Sequence, residues 1–200
     1  MKRKEFLPFA RPALDEATIE DVCESLRSGW ITTGPKSIRF ENAFRERIGI
    51  PFALATNSAT AGLHLAHLAT GIGPGDEVIT TPMTFVATLN TIVFAGARPV
   101  LVDIDPGTFN MDTARLESAI TPSTKAIVPV HFAGLPVDID PVDEIAEKHG
   151  LTVIEDCAHA LGASYKGRTV GSDPRHVSVF SFHPTKNITT GEGGMVCTGL

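Results

Sequence analysis

The sequence predicts an α/β protein built around a mostly parallel sheet. From residue 52 onward, short runs of β-branched and apolar residues alternate with helix-length amphipathic segments, which is the pattern of consecutive βαβ units. The repeating unit is roughly thirty residues long, as βαβ packing requires. The chain has 200 residues, of which 42% are hydrophobic and 11 are Phe, so we expect one domain with a sizeable core.

The elements follow from periodicity and from their capping residues. The first strand is predicted over 51–56, and Ser58 is the predicted N-cap of a helix over 59–70 that stops at Gly71. The segment GIGPGDE is predicted to be a turn, because its glycines follow a helix and precede a strand, the reverse of their order in a dinucleotide-binding loop. Further strands are predicted over 77–81, 98–105, 125–132, 151–158 and 177–182, and further helices over 84–96, 112–120 and 140–149.

The first fifty residues have a different pattern. They predict two helices, over 15–29 and 38–48, joined by a loop that contains GWITTGP. We therefore expect residues 1–50 to form an N-terminal helical arm that docks on an α/β domain formed by residues 51–200.

Composition excludes several classes of function. The net charge of −6 and a pI near 5.6 argue against nucleic-acid binding, which needs a surplus of Lys and Arg. Three widely spaced cysteines without a CxxC pair predict neither a zinc site nor a disulfide framework and favour the cytoplasm. No run of residues is long and apolar enough for a membrane span, and the basic N-terminus lacks the core of a signal peptide.

Polar side chains at the ends of the predicted strands are the candidates for a binding site, because ligands of parallel sheets gather at the carboxyl ends of the strands. After the first strand, the small residues NSATAG allow backbone N–H groups at a helix N-terminus to approach a phosphate, although capping alone also explains Ser58. Phe85 lies near the same edge, where an aromatic residue is more often part of the core.

Two charged residues end two later strands. Asp156 follows an apolar run, and an unpaired buried carboxylate is costly, so it needs a partner unless it is a helix N-cap or part of a structural ion pair. Lys186 follows the next strand and precedes the segment TTGEGG. A single lysine in a loop is usually solvated, but a pyridine cofactor would use all of these positions together.

In that arrangement, Lys186 would form a Schiff base with the cofactor aldehyde, and Asp156 would pair with the protonated ring nitrogen. Residues 58–61 and Ser181 would hold the cofactor phosphate. Phe85 would lie against one face of the ring, and Ala158 would leave room on the other face.

Eight motifs spread over nearly the whole chain resemble one known family, the DegT/DnrJ/EryC1/StrS group of sugar aminotransferases. They are LPFARPALDEAT, GWITTGPK, NSATAGLH, GPGDEVITTPMTFVATLN, VDID, PVHFAG, IEDCAHALGA and FSFHPTKNITTGEGG. Within the group, the motifs are most similar to those of enzymes that make UDP-4-amino-4-deoxy-L-arabinose. The resemblance implies the three-layer αβα architecture of pyridoxal 5′-phosphate (PLP)-dependent transferases of fold type I.

The resemblance also implies a role for each site residue. Lys186 is the Schiff-base lysine, Asp156 contacts the pyridine nitrogen, His159 contacts the phenolic oxygen of the ring, and Phe85 stacks on the ring. Phosphate contacts are implied for Thr60, Ala61 and Ser181. The implied enzyme is a cytoplasmic homodimer of surface-polysaccharide biosynthesis that moves an amino group, from glutamate, to a nucleotide-linked 4-keto sugar.

Several alternatives stay open. Members of this family are roughly twice as long, so we expect the chain to be the N-terminal part of such an enzyme, without the last strands and the small C-terminal domain. A related sugar dehydratase carries histidine in place of the lysine, and a non-catalytic relative would bind nucleotide-sugar or a partner without turnover. His64 and His67 lack a third metal ligand, and Cys157 is better explained as a core residue than as a nucleophile.

Overall fold

The structure, a computed structural model, describes residues 5–200, so the first four residues of the predicted arm lie outside the described residues. Its main sheet has seven strands: β1 (Phe52–Thr56), β2 (Glu77–Thr80), β3 (Arg98–Leu101), β4 (Thr124–Ile127), β5 (Thr152–Asp156), β8 (Val177–Ser181) and β9 (Gly194–Thr198). Their order across the sheet is β1-β9-β8-β5-β4-β2-β3. Within it, β9 pairs antiparallel with β1 and β8, and the remaining pairs are parallel.

Helices cover both faces of this sheet. They are α1 (Glu16–Ser28), α2 (Pro35–Ile48), α3 (Ala59–Ala69), α4 (Val86–Phe94) and α5 (Ile139–His149). The strand residues alternate between two cores: Val78, for example, packs with α3 and α4, whereas its neighbour Ile79 packs with α5. The predicted three-layer α/β fold with a mostly parallel sheet is therefore confirmed. Among residues 5–200, none of the helices combines the length and hydrophobicity needed to cross a lipid bilayer.

The two N-terminal helices differ in their packing. α2 buries Phe44 and Ile48 against the sheet, whereas α1 has no buried residue. Capping defines the ends of α1: Asp15 accepts a hydrogen bond from the Thr18 N–H at 2.8 Å, and Gly29 ends the helix in the left-handed conformation. The described part of the predicted arm is thus a helix that packs on the sheet through two buried residues, preceded by a helix without buried residues.

Several predicted boundaries were wrong. α2 begins three residues earlier than predicted, at Pro35, because proline at the first helical position needs no hydrogen-bond partner for its nitrogen. The predicted helix over 112–120 is instead two 3-10 turns, Thr113–Arg115 and Glu117–Ala119. Asp112 caps the N–H of Ala114 there, and the backbone bonds that follow join residues three apart, which is the 3-10 pattern.

Two predicted strands are shorter than expected. β4 ends at Ile127 because Pro129 has no N–H to donate, and only an isolated bridge from Val130 to Asp156 continues the pairing. β3 ends at Leu101. A hairpin that the sequence patterns did not indicate joins β6 (Ser164–Tyr165) to β7 (Arg168–Thr169), and its turn residues Lys166 and Gly167 both have positive φ angles.

We predict that His67 makes the fold sensitive to mild acid. Its side chain is fully buried on α3, neither ring nitrogen has a hydrogen-bond partner among residues 5–200, and burial, with His64 nearby, lowers the pKa of His67 to about 4. The unfolded chain therefore takes up the proton first, so the free energy of unfolding should fall by about 2 kcal/mol between pH 6.5 and 5.

Urea unfolding across this pH range measures the effect. His67→Leu should flatten the dependence, whereas His64→Leu on the same helix should keep it. An unchanged slope in His67→Leu would contradict the assignment.

Candidate functional site

A cavity of ≈ 290 Å³ opens where the strands of the sheet reach their carboxyl ends. The residues that the sequence proposes for a cofactor site meet there from distant parts of the chain. Seven of the eight line the cavity: Thr60, Phe85, Asp156, Ala158, His159, Ser181 and Lys186. Ala61 does not line it, because its N–H turns toward Ser58 Oγ at 3.1 Å.

The N-terminus of α3 forms one wall of the cavity. Ser58 is the N-cap, as predicted from the sequence. Since Ala61 donates to Ser58, the backbone N–H groups of Ala59 and Thr60 are the donors at this helix end that make no hydrogen bond within residues 5–200. A Cβ atom on Gly194 would lie 2.6 Å from the Ala59 nitrogen, so glycine is required for β9 to approach this wall. Two backbone donors and a helix dipole thus face the cavity, an arrangement suited to an anion.

Asp156 ends the central strand β5 and is 5% exposed. Its Oδ1 accepts the N–H of Ala158 at 3.1 Å, and its Oδ2 accepts the hydroxyl of Thr88 at 2.7 Å. Two donors compensate for much of the hydration that burial removes from the carboxylate. The side chain is consequently held at the cavity wall.

Lys186 follows a tight turn in the connection between β8 and β9. Its N–H bonds to the carbonyl of His183 at 2.9 Å, and Pro184 occupies the second position of this turn, where proline is favoured. Phe182 anchors the start of the connection: it is almost fully buried, and its ring lies 5.1 Å from that of Phe40 on α2. The lysine therefore projects from a short segment that is fixed at its base.

The lysine and His159 are both biased toward their neutral forms. Partial burial lowers the pKa of Lys186, and the nearby Asp156 carboxylate opposes this shift. Burial and the charge of Lys186 likewise lower the pKa of His159, again against Asp156. His159 Nδ1 lies 3.3 Å from the Ala133 N–H and accepts it, so in the neutral ring the proton resides on Nε2.

Behind the cavity, Glu155 occupies the opposite face of β5, where it is buried and hydrogen-bonded to three side chains. It lies 2.9 Å from His131 Nε2, 3.0 Å from His176 Nδ1 and 3.0 Å from Ser178 Oγ. His176 Nε2 also lies 2.9 Å from Asp143. The two carboxylates raise the pKa of His176 to about 9 despite its burial, and the two histidines hold the pKa of Glu155 far below its usual range.

A second acidic group, Asp143 with Asp173, lies beside His176 within metal-coordinating distance. The guanidinium of Arg175 already pairs with both aspartates, at 2.9 and 2.7 Å. The guanidinium of Arg175 thus supplies a positive charge to this pair of aspartates.

The cavity also contains residues that the sequence did not point to, Thr84 and His131 among them, and Thr88 lies directly behind it. His131 is part of the PVHF motif at the end of the β4 segment. Its position after that strand could therefore have identified it as a candidate site residue. Thr88 gave no such indication, because nothing in the sequence distinguishes this threonine of the first turn of α4 from an ordinary helix residue.

The family model for the DegT/DnrJ/EryC1/StrS aminotransferase family matches residues 12–199. This chain belongs to that family. The family predicted from the motifs is therefore confirmed.

Solved structures of other family members share the fold closely. Spr1654 of Streptococcus pneumoniae, assigned as a sugar aminotransferase and solved in its PLP form, has a TM-score of 0.92 and 41% identity over 97% of this chain and 53% of its own. PseC of Helicobacter pylori, an aminotransferase of pseudoaminic acid biosynthesis, has a TM-score of 0.90 and 40% identity over 96% of this chain and 52% of its own. The chain therefore spans about half the length of these relatives.

We predict that the charged state of His176 stabilises this family member below pH 9. Its pKa is raised in the folded state, so its contribution is fully present below pH 6.5 and is lost as the pH rises through 9. The free energy of unfolding should fall by about 3 kcal/mol over this interval.

Denaturant unfolding at a series of pH values tests the prediction, with His176→Gln as the variant that lacks the titrating group. His149→Gln, an exposed histidine paired with Glu117, is the control. If His176→Gln keeps the alkaline loss of stability, a different group is responsible.

Proposed function

We propose that the chain carries the PLP site of an aminotransferase that moves an amino group, from glutamate, to a nucleotide-linked 4-keto sugar. The observation that supports this best is the meeting, in one cavity, of an amine with a lowered pKa, Lys186, and a buried carboxylate, Asp156. The relatives add support, since Spr1654 is known in a PLP form and in a pyridoxamine phosphate (PMP) form.

The residues present fit PLP at each of its polar ends. The N–H groups of Ala59 and Thr60, with the hydroxyls of Thr60 and Ser181, would hold the phosphate. Asp156 would hold the ring nitrogen in its protonated form, and the Nε2–H of His159 would donate to the ring oxygen. Phe85 and Ala158 would flank the ring. When bound, PLP supplies an aldehyde that accepts an amino group and a ring that stabilises negative charge on the adjacent carbon.

The chain's own contribution to catalysis is the movement of a proton. A general base must be neutral at the working pH, and the partial burial that lowers the pKa of Lys186 favours its neutral form. The short, anchored segment around it keeps Lys186 Nζ at the cavity, where it takes a proton from the donor's α-carbon and later returns one.

Two other functions fit less well. A PLP-dependent sugar dehydratase would carry histidine at position 186, and this chain carries lysine. A non-catalytic relative would bind nucleotide-sugar or a partner without using the lysine. It gives no reason for the lowered pKa of Lys186 beside a buried carboxylate.

We further propose that residues 51–200 are the PLP-binding domain, that residues 1–50 are its arm, and that the protein is a homodimer with its sites at the subunit interface. The apolar residues Ile19, Val22 and Leu26 form one stripe along the exposed helix α1, and a second copy of the chain would cover it. All three cysteines are free, which favours a cytoplasmic location.

Removal of the lysine tests the PLP proposal. Lys186→Ala should still bind PLP through the phosphate and Asp156 but lose transamination by roughly 10²–10⁴-fold. Lys186→Arg should fail equally because guanidinium stays charged. Lys148→Ala, which removes an exposed lysine that pairs with Glu117, should leave activity unchanged.

Borohydride reduction of the PLP-loaded protein, followed by peptide mapping, should place the cofactor on Lys186. A label on another lysine, or substantial turnover by Lys186→Ala, would contradict the proposal. Single-turnover assays of glutamate against aspartate, and of UDP- against dTDP-linked 4-keto sugars, then test the proposed substrates one by one.

The homodimer is tested separately by sedimentation velocity. The protein should sediment as a dimer at micromolar concentration, and Val22→Asp should shift it toward monomer because a charge would be buried in the interface. Glu20→Gln, on the same helix and outside the apolar stripe, should have little effect. A monomeric and fully active wild-type protein would refute the proposal.

A further inference from the structure

The carboxylate of Asp156 depends on a pair of threonines that begins at the cavity wall. Thr88 is fully buried on α4, and its hydroxyl donates to Asp156 Oδ2 at 2.7 Å. The same hydroxyl oxygen lies 2.7 Å from the hydroxyl of Thr84, which lines the cavity. Three polar groups thus form one continuous chain of hydrogen bonds.

The direction of this chain follows from the number of available protons. An ionised carboxylate only accepts, so the single hydroxyl proton of Thr88 is committed to Asp156. Thr88 can therefore only accept from Thr84, and Thr84 is the donor of that contact. Each donor strengthens the next bond, because consecutive hydrogen bonds in a buried environment polarise one another.

We propose that Thr88, supported by Thr84, is a positioning residue that keeps the Asp156 carboxylate aimed at the cofactor ring. The part that concerns the ring rests on the function proposed above. Oδ1 of Asp156 is held by the backbone of Ala158, two residues away, so it moves with its own loop. Oδ2 is held only from α4, and Thr88 therefore sets the rotation of the carboxylate relative to the opposite wall of the cavity.

Other titratable groups near Asp156 are distributed on both sides of β5. On the cavity side are Lys186, His159, His183, Glu192 and His131, the last of which also bonds to Glu155. On the other side are Glu155, with its second partner His176, and the buried thiol of Cys157. Among these groups, none donates a hydrogen bond to the Asp156 carboxylate, so loss of Thr88 is not compensated by them.

Helix α4 offers a matched control. Thr91 is also fully buried, one turn further along, but its hydroxyl donates only to the backbone carbonyl of Thr88, at 3.2 Å. Thr91→Val therefore removes a buried hydroxyl from the same helix without touching Asp156. Thr88→Val removes the donor with little change of shape, and Thr88→Ser restores it.

The orientation of the Asp156 carboxylate, seen in crystal structures of the cofactor-free protein, tests the positioning directly. In Thr88→Val the carboxylate should rotate away from its wild-type orientation, because the hydrogen bond that held Oδ2 is gone. Thr88→Ser and Thr91→Val should keep the wild-type orientation. If the carboxylate keeps its orientation in Thr88→Val, or rotates as far in Thr91→Val, the inference is wrong.

The dissociation constant of PLP, measured by titration of the cofactor-free protein, tests the consequence. Thr88→Val should weaken PLP binding by about tenfold to a hundredfold, Thr88→Ser should return it to within about threefold, and Thr91→Val should leave it near the wild-type value. Equal PLP affinity in all four proteins would overturn the role toward the ring. If the wild type does not bind PLP while the Asp156 carboxylate still rotates in Thr88→Val, the proposed function fails and the positioning role of Thr88 holds.

Discussion

Two consecutive carboxylates, Glu155 and Asp156, lie in the central strand of a buried sheet, and the rest of the structure has to accommodate them. Both are at most 5% exposed, and a buried carboxylate without partners would cost several kcal/mol. Successive residues of a strand face opposite sides of the sheet, so each carboxylate needs its own set of donors. On the side of the sheet that α5 covers, His131 and His176 are hydrogen-bonded to Glu155. On the other side, Thr88 of α4 donates a hydrogen bond to Asp156.

This arrangement separates a structural role from a chemical one. Glu155 makes three hydrogen bonds to buried side chains, and these bonds stabilise the fold. Asp156 has two donors and an open cavity in front of it, so one of its faces is left for a ligand. The lysine then comes from the next strand in the sheet, β8, on a segment anchored by the aromatic contacts of Phe182 with α2. The acid therefore rests on a strand, and the amine on a turn that is anchored at its base.

The sequence alone predicted the parts of this arrangement that follow from local patterns. Alternating apolar runs predicted the strands, and the rule that parallel strands carry ligands at their carboxyl ends brought Asp156 and Lys186 together. It could not predict Thr88, because a contact between residues 68 positions apart leaves no periodic signal. The α-helix predicted over 112–120 was wrong for a related reason. The Asp112 cap and the backbone hydrogen bonds between residues three apart compete with an α-helix, and the spacing of apolar residues gives no sign of this competition. The β6–β7 hairpin was missed because its strands are only two residues long.

We propose that Asp156, held by its two donors, would keep the nitrogen of a bound pyridine ring protonated. The ¹⁵N chemical shift of PLP labelled at its ring nitrogen and bound to the protein measures this protonation state directly. The wild type should show the shift of a protonated pyridine from pH 6 to 8, and Asp156→Asn should show that of a neutral pyridine. A neutral ring nitrogen in the wild type, or an unchanged shift in Asp156→Asn, would show that this carboxylate does not set the protonation state of the ring.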